Sequence, residues 1–297
     1  MYTSGIIIFS ANIEFINSMS ITLKGTGDHL LGIFNFNIPR KLNGKKMIVP
    51  VKSGIKVTIS GEKWMSEMLK LLFKYSNGTF LDIGVNLGQT LAKVKTIDPG
   101  RNYIGIEPNP SCIFYLQHLI KANNWQKTTL VPTGVYTSDC LLNLVGEHET
   151  HGSSTVIDDF KDESRFSEFF SKLVPLMSFD TIENAIPDDT ISFIKIDVEG
   201  AELEVMQSLQ DAIKKHRPII LLEVWQNNND QLKISRADKL NDIVKSLNYA
   251  VLSWKEIGHP PFFQDLQDSI LGESETDNFI LLPNENKEEI IKALRPS

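Results

Sequence analysis

The chain has 297 residues, of which 41% are hydrophobic and 23% charged. That suits one large domain, or one domain with additions, with enough apolar material for a sizeable core. The net charge of −7 excludes general affinity for nucleic acid, which needs a basic surface to neutralise phosphates; a small-molecule or glycan partner stays open.

The two cysteines, Cys112 and Cys140, form neither a metal spacing nor a disulfide framework, which predicts a reducing, cytoplasmic setting. The apolar run Ile6–Phe9 is too short for a signal-peptide core. No stretch approaches the ~20 apolar residues of a membrane span. Oligomeric state is left open, a homodimer included.

Residues 1–59 read as a β-rich cap: "IIIF", "SITLKG" and "KMIVPV" are short strand-like runs, and "NGKK" at 43–46 is a turn. The remainder, 60–297, reads as one α/β domain. Residues 62–75 predict a helix with Trp64, Met68, Leu71 and Leu72 on its apolar face. Then strands and helices alternate. "TFLDIG" is followed by a helix at 89–97, "NYIGIE" by a helix at 110–123 and then "TTLVPTGVY". An insertion at about 140–180 interrupts the series. "ISFIKID" resumes it with a helix at 201–216, then "PIILLEV" with a helix at 235–247, and "YAVLSW" and "NFILLP" close it. Asn109 is a natural N-cap, with Pro110 at the first helical position. Leu203, Met206, Leu209 and Ile213 make the stripe of the 201–216 helix.

Such alternation predicts a mainly parallel sheet, whose ligands bind at the carboxyl ends of its strands. Asp82, Glu107, Asp197 and Glu223 stand at those ends. The loop Gly84-Val85-Asn86-Leu87-Gly88 lacks the later glycines of a dinucleotide fingerprint, and no Gly-Lys-Ser/Thr ending marks a P-loop. A carboxylate at Asp82 would repel a pyrophosphate but suits an amino acid's ammonium group. Glu107, about 20 residues beyond the glycines, suits both hydroxyls of a ribose. A ligand with a ribose, an amino-acid cation and no phosphate is S-adenosylmethionine.

Together, "FLDIGVNLGQT", "IGIEPNP", "GSS", "ISFIKIDVEGAELEVMQSL" and "PIILLEV" resemble the FkbM family of methyltransferases. The resemblance implies a class I (Rossmann-like) fold: a seven-stranded, mainly parallel sheet whose last strand in sequence is antiparallel. It also implies methyl transfer to a hydroxyl, often on a sugar or polyketide. Val85 departs from the usual alanine, and residues 1–59 match nothing in the family.

The cofactor candidates are Asp82, Gly84, Asn86, Gly88, Glu107, Pro108, Gly134 and Asp139, the last as an acceptor for the adenine amine or as a plain turn residue. The catalytic candidates are Asp197, Glu199, Glu223 and His151. Asp197 also suits the cap of the next helix, and Glu223 a partnership with Lys195 or an arginine. Three carboxylates so close cannot all stay charged: one is protonated, paired or cation-bound. Oxygen ligands of this kind suit a divalent metal, although none is expected to be required. Ser153, Ser154 and Trp225 are further contacts to weigh. The rival readings are a nicotinamide-dependent oxidoreductase and a non-catalytic module that keeps the cofactor pocket.

Overall fold

The computed structural model describes residues 35–147, 154–157, 170–187, 189–225, 231–255, 262–267 and 276–294. The runs "IIIF" and "SITLKG", together with His151 and Ser153, lie outside them.

Strands β1 (Phe36–Leu42) and β2 (Lys45–Val51) form an antiparallel hairpin. Its turn is Asn43-Gly44, both at positive φ (50° and 78°), as a two-residue hairpin of this twist requires. The hairpin packs on the main domain through Met47 and Val49, both buried. Asn123 ties it down, bonding both the N–H and the C=O of Ile48 at 2.7 Å.

Helix α1 spans Lys63–Leu72. Its buried stripe is Met65, Met68, Leu69 and Leu72, while Trp64 and Leu71 are only partly covered. The stripe is thus rotated from the sequence expectation, because the sheet takes the Met65/Leu69 ridge. The core elements follow in chain order. They are β3 (Thr79–Ile83), α2 (Gln89–Ile97), β4 (Tyr103–Ile106), α3 (Pro110–Asn123) and β5 (Thr128–Val131). After the insertion come β9 (Ile191–Ile196), α5 (Glu202–Ser208), α6 (Gln210–His216), β10 (Ile219–Trp225), α7 (Gln231–Ser246), β11 (Tyr249–Lys255), β12 (Phe262–Gln267), β13 (Thr276–Pro283) and α8 (Lys287–Leu294).

The sheet has eight strands in the order β12-β11-β13-β10-β9-β3-β4-β5. Seven of them are the expected set, with β13, the last in sequence, antiparallel to β10 and β11. The eighth, β12, is an added edge strand antiparallel to β11. The order reverses between β3 and β9, which is where a crevice opens in sheets of this kind.

Helices cover both faces. On one side Leu81, Ile104, Ile194 and Leu222 pack with Leu203, Met206, Leu240 and Val244. On the other, Phe80, Tyr103, Phe193 and Leu221 pack with α1, α2 and α8. The 201–216 stripe of Leu203, Met206, Leu209 and Ile213 is buried as expected, with a break at Leu209 dividing the helix. Asn109 caps α3 by accepting from Ser111 N at 3.0 Å.

A small second sheet joins β6 (Gly134–Val135), just before the insertion, to β7 (Cys140–Gly146) and β8 (Phe170–Met177) within it, in the order β6-β8-β7, and the short helix α4 (Phe179–Glu183) follows.

Candidate active site

The cleft sits over the β3/β9 reversal and encloses about 330 Å³. Strand register builds it. Ile83 pairs with Ile106 on one side and Ile196 on the other, so the next residues, Gly84, Glu107 and Asp197, emerge together. Gly84 N donates to Ile106 O at 3.0 Å, and Asp197 N donates to Ile83 O at 3.1 Å.

The glycines have internal reasons to be glycines. Gly84 has φ +87°, and a Cβ there would stand 1.8 Å from the carbonyl oxygen of Asp197. Gly88 has φ +90°, and its Cβ would meet Leu116 Cδ2 at 2.8 Å. At these two positions it is the protein's own backbone and α3 that come near the loop. Asn86, at φ 50°, tolerates the left-handed region as asparagine does.

Glu107 is the best-prepared group in the cleft. Its Oε2 accepts from Asn86 N and its Oε1 from Asn109 N, each at 2.8 Å. Burial pushes its pKa up to about 7 against those two bonds. Each oxygen keeps a free lone pair, so the carboxylate is oriented and can still accept two hydroxyls. Beyond it the cleft is lined by Pro108, Gly134, Val135, Leu144, Val156 and Leu176, an apolar slot, and by Ser154.

Asp82 lies beneath the cleft rather than in its wall: it is 0% exposed. Its Oδ2 accepts from the Tyr103 hydroxyl, and Lys195 Nζ stands 3.9 Å from Oδ1. Burial raises it to about 6, with Lys195 and Tyr103 opposing. Asp82 and Lys195 are register partners on β3 and β9, so they share one face of the sheet.

Lys195 binds Asp197 Oδ2 at 2.7 Å. Burial pulls the lysine down, but Asp197 and Asp82 outweigh it and leave it above its ordinary value. Asp197 lines the cleft and does not cap the following helix, whose N-cap Ala201 has no side-chain bond. Glu199 also lines the cleft, at φ 51°. Burial first, then the charges of Asp197, Glu223 and Glu202, push it up to about 9. The crowded carboxylates are therefore resolved in two ways: Asp197 is paired, and Glu199 is neutral at pH 7.

Glu223 does not line this cleft. It borders a small neighbouring cavity with Trp64, Met65 and Met68, and burial and Asp197 raise it to about 7. Asp139 is away from the cleft as well, accepting from Ser178 N at 2.8 Å and from the Thr181 hydroxyl at 3.2 Å near the start of α4. Gly88 acts from behind the loop, and the Trp225 side chain lies outside the described residues. No group of three His, Cys, Asp or Glu side chains able to hold a metal occurs among the described residues. Nor is any helix among them long and apolar enough to cross a membrane.

The sequence reading missed Glu62 and Lys93, which line the cleft and pair at 2.7 Å. A signal existed: α2 is buried on nearly every side, yet carries two lysines.

The sequence model of the methyltransferase FkbM domain matches residues 82–251, more than half the chain. The chain belongs to the FkbM methyltransferase family. The match takes in the loop, Glu107, Asp197, Glu199 and Glu223, while Glu62 precedes it. No curated protein matches the chain. Among solved structures, methyltransferase FkbM from Methylobacillus flagellatus KT is 18% identical, with TM-score 0.42, over 69% of this chain and 43% of that one. The present chain thus spans less than half the length of that FkbM protein. An O-methyltransferase from Bacillus cereus in complex with SAH is 12% identical, with TM-score 0.45, over 76% and 82% of the two chains. Precorrin-6y C5,15-methyltransferase from Geobacter metallireducens GS-15 is 14% identical, with TM-score 0.38, over 75% and 88%. At these identities and scores the three bear on neither substrate nor mechanism.

Proposed function

We propose that this FkbM-family protein transfers a methyl group from S-adenosylmethionine to a hydroxyl of a sugar, glycan or related natural product. Residues 60–297 would form the catalytic domain and residues 1–59 a cap. The observation that carries the cofactor reading is Glu107: a buried carboxylate, fixed by two backbone N–H groups, with lone pairs left for a ribose diol. The apolar slot beyond it suits a flat purine. When bound, S-adenosylmethionine supplies an electrophilic methyl group on a cationic sulfur.

The protein's own part is to hold and deprotonate the acceptor. Asp197 is the base we assign. Lys195 fixes one oxygen of its carboxylate, and the other accepts from nothing among the described residues. The pairing holds the carboxylate aimed, ready to take the hydroxyl proton as that proton becomes acidic in the transition state. Glu199, neutral at pH 7, can donate a hydrogen bond to the acceptor oxygen and orient its lone pair. Positioning of this sort is worth ~7–11 kcal/mol of barrier. Glu223 and Asp82 act through Lys195.

A panel of neutral sugars, amino sugars and glycolipids incubated with labelled S-adenosylmethionine tests the activity. Label appearing as an ether on one acceptor class, with S-adenosylhomocysteine released in equal amount, is the expected result. Cofactor binding without transfer to any hydroxyl, or transfer to nitrogen or carbon, would overturn it.

A further inference from the structure

Two lysines on α2 are buried, and they are used differently. Lys95 is 1% exposed and its ammonium donates to three carbonyls, those of Arg101, Gln126 and Lys127, at 2.8, 2.8 and 3.0 Å. All three of its N–H donors are spent. Lys93 is 2% exposed, yet only one donor is spent, on Glu62 Oε2 at 2.7 Å. The other two have no acceptor among the described residues, and Lys93 lines the cleft. A buried ammonium with unused donors is costly unless something else arrives to accept them.

Its partner shows the same incompleteness. Glu62 Oε1 takes no hydrogen bond from the described residues, its side chain is 39% exposed, and it too lines the cleft. The residue sits at φ 50° at the head of α1 without capping it, a backbone conformation that glycine would hold with less strain.

We infer that Lys93 and Glu62 form the amino-acid end of the cofactor site: Lys93 takes the carboxylate of the aminobutyrate and Glu62 its ammonium. The inference rests on reading the cleft as an S-adenosylmethionine site. The order of groups along the cleft supports it. Gly134 abuts Pro108 at the apolar end, Glu107 holds Asn86, and α2 leads from that loop to Lys93. Purine, ribose and amino acid follow one another in the ligand in the same sequence. The charges match as well, since the Lys93–Glu62 pair offers one cation and one anion to a zwitterion. The role moves the ammonium contact from Asp82, which the cleft does not reach, to Glu62, which it does.

Calorimetric titration separates the parts. The probes are S-adenosylhomocysteine, 5′-methylthioadenosine (no amino acid) and decarboxylated S-adenosylmethionine (ammonium but no carboxylate). Lys93→Met should weaken S-adenosylhomocysteine about 10-fold or more and leave methylthioadenosine unchanged. Glu62→Gln should weaken both ligands that carry the ammonium, and again spare methylthioadenosine. Retained methylthioadenosine binding shows that a variant is folded, and the Glu62 variant, on the rim, decides the matter if Lys93→Met does not fold. Unchanged binding of S-adenosylhomocysteine, or equal loss of it and methylthioadenosine, would overturn the assignment while leaving the cofactor site standing. Failure of the wild type to bind any of the three would instead remove the cofactor reading itself.

Discussion

The carbonyl oxygen of Asp197 occupies the space a side chain on Gly84 would need, 1.8 Å from the position of a Cβ. The loop after β3 and the loop after β9 are therefore in backbone contact at the point where the sheet order reverses. The loop assigned to the cofactor and the loop carrying the assigned base share one joint.

Gly84→Ala should therefore destabilise the protein even with no cofactor present. The new Cβ meets a backbone carbonyl, and φ is +87°, so a cost on the order of 3 kcal/mol is expected. Thermal melts of the cofactor-free variant should show a fall of roughly 6–12 °C. An unchanged melt with lost cofactor affinity would mean that Gly84 serves ligand clearance alone.

Glu107→Gln removes one acceptor oxygen and presents an NH2 to a backbone N–H. Either Asn86 N or Asn109 N loses its partner, and one ribose hydroxyl loses an acceptor. We expect S-adenosylhomocysteine to bind about 10- to 100-fold more weakly, the loss of one or two charged hydrogen bonds. Affinity within 2-fold of wild type, on the order of a neutral change, would remove Glu107 from the ribose.

These two residues show what the sequence conveyed. Strand-end acids and the glycine loop are local features with fixed spacing, so the strand-end placement of Glu107 and Asp197 and the α/β order could be read directly. Asp82 could not be judged in the same way: whether a strand's terminal acid enters the cleft or lies beneath it depends on the neighbouring strands, here on Tyr103 reaching in from β4. For Asp139 the sequence left an adenine contact and a turn role equally open, and its carboxylate accepts from Ser178 N at the start of α4. Glu62 and Lys93 come from separate helices and pair only in three dimensions. In the α1 stripe Met68 and Leu72 are buried as expected, while Met65 and Leu69 take the places of Trp64 and Leu71, which are just as apolar. Strand β12, FFQDLQ, lacks the regular apolar–polar alternation that marks a strand.

Glu199 links cofactor charge to pH. Its folded pKa, about 9, lies above the ordinary 4.5. Its contribution to stability is therefore fully present below about pH 4.5 and is lost as pH rises toward 9. The cofactor-free protein should melt lower across that rise, and Glu199→Gln should flatten the decline and melt above the wild type near pH 8. A bound sulfonium favours the ionised carboxylate. Affinity for S-adenosylmethionine relative to S-adenosylhomocysteine should thus rise with pH in the wild type and less so in Glu199→Gln. Parallel pH profiles for the two proteins would contradict this.

Asp197→Asn should keep cofactor affinity within a few-fold and lower turnover by about 10²- to 10⁴-fold, the usual worth of a general base. Single-turnover rates on the best acceptor give the comparison. Full turnover in the variant would transfer the role of base elsewhere.

The most direct measurement is calorimetric titration of the wild-type protein with S-adenosylhomocysteine and, separately, NADH. The cleft described here predicts saturable binding of the first and none of the second. Binding of NADH without S-adenosylhomocysteine would contradict it, and with it the roles assigned to Glu107, Lys93 and Glu62.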